Sequence, residues 1–247
     1  MFWRYWPRRV APAEPLAAAL LDHYRSGRPR CVHALRADGV SFEIETAEYF
    51  TLDGQLSDFD RICLERCHGR VLDVGAGAGR HALAFQERGC EVTAIDVSPI
   101  CTALCRERGV IDARTVDIMR LDRDEPMGQF DSIFFGMQTI GVAGGTKPLE
   151  ELLRRLRKSL APGGELLVDS SALREAWEGG EEEDSHHRGE IVLSTRYRGW
   201  RGDPFPWLYL AEEELAEVAN RAGYEMESLA HVESGEYLVA MRPDPRA

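Results

Sequence analysis

From residue 70 onward, short apolar runs alternate with stretches in which apolar residues recur at helical spacing. Apolar runs of this length predict buried strands, and the helical spacing predicts helices between them. This alternation is typical of an α/β fold in which a doubly wound, mostly parallel seven-stranded sheet carries helices on both faces. The predicted strands lie at 71–75, 91–95, 113–117, 130–136, 164–169, 225–232 and 236–241, and the predicted helices at 80–88, 99–108, 147–159 and 211–222.

The first 68 residues have a different pattern. A helix is predicted at 14–24, a half-buried strand at 40–44 and a second helix from 57 to 67. No flexible linker separates this part from the first strand of the alternating region. We therefore expect residues 1–68 to form an N-terminal cap on a core of residues 69–247, rather than an independent domain.

A second departure lies between the fifth predicted strand and the last helix, at about 174–210. The acidic run at 178–184 predicts a solvated, mobile loop. Residues 190–199 and 205–210 predict two antiparallel strands joined by a short turn. We therefore expect an inserted antiparallel hairpin.

The first strand of the core ends in three glycines at alternate positions, Gly75, Gly77 and Gly79. Glycines at a strand-to-helix turn let the backbone approach a ligand closely, with the amides of the helix start aimed at it. The next strand ends in Asp96, which can accept both hydroxyls of a ribose. A dinucleotide site would require its third glycine at the position of Arg80. The pattern therefore predicts a nucleoside-containing cofactor other than a dinucleotide.

With Asp73 included, residues 71–79 resemble the cofactor loop of the class I S-adenosylmethionine-dependent methyltransferases. The resemblance extends over about 70–241, because that family also ends in a helix and a reversed hairpin. It implies a Rossmann-like methyltransferase fold, S-adenosylmethionine as cofactor and S-adenosylhomocysteine as product.

The resemblance also implies roles for individual residues. The glycine loop would pass under the methionine portion of the cofactor, Asp73 would contact its ammonium group and Asp96 its ribose, with Val97 packing on the adenine. Asp117 would face the adenine amino group, although Asp73 and Asp117 are equally consistent with capping or turn roles. The implied cofactor contacts are Asp73, Gly75, Ala76, Gly77, Gly79, Asp96, Val97, Asp117, Ile118 and Gly136.

Methyl transfer from a sulfonium is an in-line displacement of an already activated group. It requires alignment and exclusion of water more than a catalytic triad. His81 is the best-placed histidine for a general base, but we favour a structural role or contact with the cofactor carboxylate for it. The catalytic candidates are His81, Gln138 and Tyr197.

Substrate contacts are expected beyond the ends of the core strands. Arginines and aromatic residues on the inserted hairpin suit a flat or carboxylate-bearing substrate, and they equally suit a small satellite core with a solvated rim. No Asn/Asp-Pro-Pro-aromatic motif comes after the fourth core strand, which argues against nucleic-acid bases and protein glutamine as acceptors. The candidate substrate contacts are Tyr49, Gln138, Thr139, Arg196, Tyr197 and Trp207.

The net charge of −12 gives no support to a nucleic-acid partner. The six cysteines are too sparse for a disulfide scaffold, so we expect small buried residues in a reducing cytoplasm and no metal site. The apolar stretch near the N-terminus is too short for a signal peptide or membrane span. We expect a cytoplasmic monomer or homodimer with no membrane partner.

These observations predict a methyltransferase that acts on oxygen or nitrogen of a small metabolite or natural product. Three alternatives remain open. The acceptor could be a peptide or protein, the cofactor could donate a group other than methyl, or the protein could bind the cofactor as a regulator without turnover.

Overall fold

The computed structural model describes residues 8–50, 57–121, 127–173 and 189–246. The acidic run at 178–184 lies outside these ranges. The elements are numbered in chain order, with strands β1 (Arg8–Val10), β2 (Cys31–Arg36), β3 (Ser41–Glu45), β4 (Arg70–Val74), β5 (Glu91–Asp96), β6 (Asp112–Thr115), β7 (Phe130–Phe135), β8 (Leu160–Ser171), β9 (Glu190–Tyr197), β10 (Trp200–Gly202), β11 (Phe205–Leu208), β12 (Tyr224–His231) and β13 (Glu236–Pro243). The α-helices are α1 (Glu14–Ser26), α2 (Asp58–Arg66), α3 (Arg80–Glu87), α4 (Pro99–Arg108), α5 (Thr146–Leu156) and α6 (Glu212–Arg221).

The main sheet has seven strands in the order β12-β13-β8-β7-β4-β5-β6. The five strands β4 to β8 run parallel to one another. Strand β13 is antiparallel to β8, and β12 is antiparallel to β13. This arrangement confirms the predicted α/β class and the mostly parallel seven-stranded sheet.

Apolar side chains on both faces of this sheet explain why its central strands are continuous apolar runs. Leu72 and Leu166 face the larger core, where Leu153 of α5 and Leu215 of α6 pack. The opposite face carries a second cluster that includes Phe85 of α3. Cys63, Cys67, Cys101 and Cys105 are buried, whereas Cys31 is exposed and Cys90 partly so.

Some predicted boundaries differ from the observed ones. Helix α5 ends at Leu156 and continues as a 3₁₀ turn over Arg157–Ser159, so the prediction of a helix to 159 was too long. Strand β8 begins earlier than predicted, at Leu160, and its pairing with β7 shifts register between Phe130 and Ser132. None of the described helices is both long and apolar enough to span a membrane.

A second sheet joins the N-terminal part of the chain to the insert. Its order is β1-β10-β9-β2-β3, and β11 also pairs with β9. The predicted hairpin is present as β9 and β11, but β9 also pairs antiparallel with β2, where Ala34 faces Thr195. The cap and the insert, predicted as separate features, thus form one layer. Helix α1 packs between this sheet and α4, with Ala19 against Val32 and Leu20 against Leu104.

Candidate functional site

The glycine loop leaves β4 in a conformation that only glycine adopts readily. Gly75, Gly77 and Gly79 have φ angles of +71°, +56° and +79°, all in the left-handed region. A Cβ at Gly75 would lie only 2.5 Å from Cγ2 of Thr139. The amides of Gly75 and Ala76 both donate to the carbonyl of Ile95, at 2.8 and 3.0 Å. The loop is therefore fixed to β5, and Thr139 packs so closely on Gly75 that a larger residue would not fit there.

Asp73, at the end of β4, is a buried carboxylate with spare acceptor capacity. It accepts the backbone amide of Ala82 in the first turn of α3, and burial raises its pKa to about 6. Its Oδ2 atom has no hydrogen-bond partner among the described residues. An unpartnered buried acceptor is costly, and a cationic or hydrogen-bond-donating group beside it would offset that cost.

Asp96, at the end of β5, is held by backbone amides on both oxygens. Its Oδ2 accepts from Gly77 N at 2.9 Å and its Oδ1 from Ser98 N at 2.8 Å. Burial raises its pKa to about 6, and the nearby Glu14 acts in the same direction. The side chain of Cys101 also hydrogen-bonds to this carboxylate, which leaves it limited capacity to accept a further hydroxyl group. The neighbouring Val97 is 53% exposed and offers an apolar surface beside it.

Asp117 and Ile118 come after β6 at the same edge of the sheet. The side chain of Asp117 caps a 3₁₀ turn by accepting from Met119 N at 3.0 Å, and it pairs with Arg120 at 3.2 Å. Ile118 is buried in the main core. The turn role considered for Asp117 is thus present, and one of its carboxylate oxygens is committed to it.

Beyond β7 the chain makes a turn that the sequence did not reveal. Met137 and Gln138 have φ angles of +54° and +59°, although neither is glycine. Strand β8 supplies Asp169 near its end, and the carboxylate accepts both amides, that of Met137 at 2.7 Å. Burial raises the pKa of Asp169 to about 6. The sequence did contain a pattern that could have indicated Asp169 as a site residue, because it comes after an apolar strand run, as Asp73 and Asp96 do.

Tyr49, a candidate substrate contact, lies on the glycine loop. Its Cδ1 is 3.3 Å from the position of a Cβ at Gly77. Burial raises its pKa above the usual value, with Glu48 and Asp96 adding to the effect, so the phenol stays protonated and can donate. Arg80 donates to the Glu48 carbonyl at 2.8 Å, which fixes this segment to the start of α3.

His81 is held in place by a carboxylate that sequence reasoning treated only as part of a helix start. Its Nε2 lies 3.0 Å from Oδ1 of Asp60, and its ring stacks edge-on against Phe134 at 4.8 Å. Burial alone would raise the pKa of Asp60, but hydrogen bonds from His81 and Ser57 and the charge of Arg80 lower it to about 2. A charged Asp60 thus orients His81 beneath Gly136, where a Cβ would lie 3.3 Å from the His81 ring.

The other substrate candidates divide into two groups. Thr139 contacts Gly75, and Trp207 packs on Gly141 in the 3₁₀ helix Thr139–Ala143, where a Cβ would lie 2.5 Å from the indole. Both candidates therefore lie by the loop that leaves β7.

The structure does not bring Tyr197 and Arg196 to this loop. The Tyr197 ring is buried with Ala19 and Val32, and its hydroxyl donates to Asp22 at 2.8 Å. Arg196 points from the opposite face of β9 and is exposed. The expectation that Tyr197 faces the substrate is therefore not met, because its ring fills the gap between α1 and the second sheet. The alternative of a small satellite core describes this part of the hairpin.

Comparison with known proteins gives a consistent result. The family described as "Methyltransferase domain" matches residues 71–164. The crystal structure of an S-adenosylmethionine-dependent methyltransferase from Bacteroides fragilis, in complex with S-adenosyl-L-homocysteine, is 32% identical in sequence. The match covers 95% of this chain and 97% of that one, with a TM-score of 0.83.

Curated relatives match over a shorter stretch. The demethylmenaquinone methyltransferase of Thermus thermophilus is 34% identical over 43% of this chain and 49% of its own length. The malonyl-[acyl-carrier protein] O-methyltransferase of Enterobacter lignolyticus is 30% identical over 56% of each. The chain spans about half the length of the curated relatives it matches.

Proposed function

This chain belongs to the S-adenosylmethionine-dependent methyltransferases, and on that premise we propose that it methylates an oxygen or nitrogen atom of a small metabolite or natural product. The observation that carries the proposal is the convergence of the glycine loop, Asp73 and Asp96 at the carboxyl ends of adjacent parallel strands, beneath a roof that includes Tyr49. Ligands of open α/β sheets bind at those ends.

The residues present fit the cofactor. The unpartnered Oδ2 of Asp73 suits the ammonium group of the methionine portion, and the remaining acceptor capacity of Asp96 suits a ribose hydroxyl. The exposed side chain of Val97 suits the adenine face, and Gly75, which is exposed, presents bare backbone to the methionine portion. S-adenosylmethionine supplies a methyl group already activated by its sulfonium.

The chain's own residues then have two tasks, to orient the acceptor and to keep water out. Tyr49 covers the glycine loop, and its protonated phenol can donate a hydrogen bond but cannot serve as a base at neutral pH. Gln138 and Thr139 lie in the turn that comes after β7, on the side from which the acceptor would approach. His81, oriented by Asp60, remains the candidate for accepting a proton.

The side chains of Tyr49 and Trp207 support the proposal of a small acceptor. Tyr49 lies over Gly77 and Trp207 over Gly141, so side chains from the N-terminal part and from the insert approach the strand ends from two directions. A peptide acceptor would need an open cleft between them, which makes it the second candidate. A regulatory protein without turnover is the third.

We propose to test this with S-adenosylmethionine labelled on the methyl group and a fractionated extract of the source cells. Label should appear in small molecules, with release of S-adenosylhomocysteine in equal amount. Label confined to protein would favour the peptide acceptor. Tight cofactor binding with no transfer to any fraction would favour the regulator.

A further inference from the structure

The turn at Met137–Gln138 is held in a conformation that its residues do not favour. Both residues have positive φ angles, +54° and +59°. A side chain in this left-handed region crowds its own backbone, so residues other than glycine adopt it only where surrounding structure enforces it. Apart from this pair, Arg198 is the one described residue other than glycine with a positive φ.

Asp169 provides the enforcing contact. Val168 of β8 pairs with Phe135 of β7 in the parallel ladder, which brings the next residue of β8 beside the turn that leaves β7. There the amide of Met137 donates to Oδ2 of Asp169 at 2.7 Å, and the amide of Gln138 donates to Oδ1. One carboxylate thus binds both amides of the left-handed pair.

The turn also fixes the residues on either side of it. Thr139 donates through Oγ1 to the carbonyl of Gly136 at 2.6 Å, which closes the turn. Its methyl group lies against Gly75, 2.5 Å from the position of a Cβ there. A different path through Met137 and Gln138 would move Thr139 relative to the glycine loop.

We propose that Asp169 is a positioning residue for the cofactor site: its carboxylate holds the left-handed turn and thereby the wall that Thr139 forms against the glycine loop. The inference rests on the proposed function, since it assumes that this wall borders the cofactor. Asp169 affects cofactor binding indirectly, through the conformation of the Met137–Gln138 turn.

The test uses Asp169→Asn and titration calorimetry with S-adenosylhomocysteine. An asparagine offers one acceptor oxygen for two amides and leaves one amide facing its own NH2 group. We expect affinity to fall about tenfold, the loss that results when the turn holds its binding-competent conformation only about a tenth of the time. Adding Met137→Gly and Gln138→Gly should restore most of that affinity, because glycine adopts positive φ without the carboxylate.

Asp131→Asn is the matched control. The carboxylate of Asp131 also accepts a backbone amide, that of Arg70 at 2.7 Å, but at the opposite end of the strands. Its replacement should leave the affinity for S-adenosylhomocysteine unchanged. A loss in Asp169→Asn that the glycines do not reverse would contradict the positioning role, as would wild-type affinity in Asp169→Asn.

The inference depends on the cofactor site of the proposed function and not on the acceptor, so a peptide acceptor would leave these expected affinities unchanged. Failure of the cofactor site itself gives a different result, since the unaltered protein would then not bind S-adenosylhomocysteine at all. A second measurement covers the case in which Asp169→Asn does not fold. In the unaltered protein, the amides of Met137 and Gln138 should exchange with solvent deuterium slowly, because the carboxylate binds both. Exchange at the rate of a free peptide would overturn the inference.

Discussion

Three aspartates at the ends of parallel strands dominate the electrostatics of the candidate site. Asp73, Asp96 and Asp169 lie at or near the ends of β4, β5 and β8, and burial raises the pKa of each to about 6. Asp169 uses both oxygens to bind backbone amides, whereas Asp73 keeps one oxygen free. At the scale of single residues, the site is therefore ready for a positively charged ligand beside Asp73.

The raised pKa values predict how cofactor affinity depends on pH. In the free protein a raised pKa means that Asp73 contributes to folding stability at low pH and loses that contribution as pH rises through about 6. A bound ammonium group favours the charged carboxylate and lowers its pKa, so binding releases a proton near this pH.

We therefore expect the affinity for S-adenosylhomocysteine to rise by up to about tenfold between about pH 5 and pH 7, and to level off above that range. Calorimetry across this range measures it. Asp73→Asn should bind more weakly and show a smaller pH dependence. Affinity that falls as pH rises would contradict the proposed contact between Asp73 and the ammonium group.

At the scale of elements, helix α1 separates the two tyrosines that were predicted to contact ligands. Tyr197 packs with Ala19 on one side of α1 and its hydroxyl binds Asp22, whereas Tyr49 lies over Gly77. In the sequence the two tyrosines look alike, since each lies near a predicted strand or turn. In the structure only Tyr49 contacts the glycine loop.

This separation predicts opposite effects of two substitutions. Tyr197→Phe should lower the free energy of unfolding by about 1 kcal/mol through loss of its hydrogen bond, with unchanged affinity for S-adenosylhomocysteine. Tyr49→Ala should weaken that affinity about tenfold, since it uncovers the loop. Denaturant unfolding and calorimetry separate the two. Equal losses of affinity in both variants would show that Tyr197 also reaches the site.

At the scale of the whole molecule, the core and the hairpin of the insert could be predicted from the sequence, but the pairing that joins the hairpin to the N-terminal part could not. The central core strands β4, β7 and β8 contain apolar runs, so each is visible in a short window. Strand β2 pairs with β9, where His33 faces Arg196, and no local pattern carries a pairing over such a distance. Strand β2 also has a charged residue, Arg36, at a buried position, which interrupts the alternation of apolar and polar residues that predicts a strand.

The same reason explains which site residues were missed. Asp73 and Asp96 could be found because they flank the glycine loop at a recognisable spacing, whereas the role of Asp169 depends on β7 lying beside β8. Asp60 acquires its role only when α2 packs against α3, which brings its carboxylate to His81. The sequence thus predicts site residues that lie close together along the chain. Residues whose role depends on contact between distant elements are found only in the structure.

Titration of the protein with S-adenosylhomocysteine tests the central claim most directly. We expect one site, and a gain in unfolding free energy of about 2.7 kcal/mol at roughly a hundredfold excess over the Kd. Asp96→Ala should bind more weakly by about 1.5–3 kcal/mol because the proposed ribose contact is lost, while keeping its fold. Binding of NAD without binding of S-adenosylhomocysteine, or unchanged affinity in Asp96→Ala, would contradict the account.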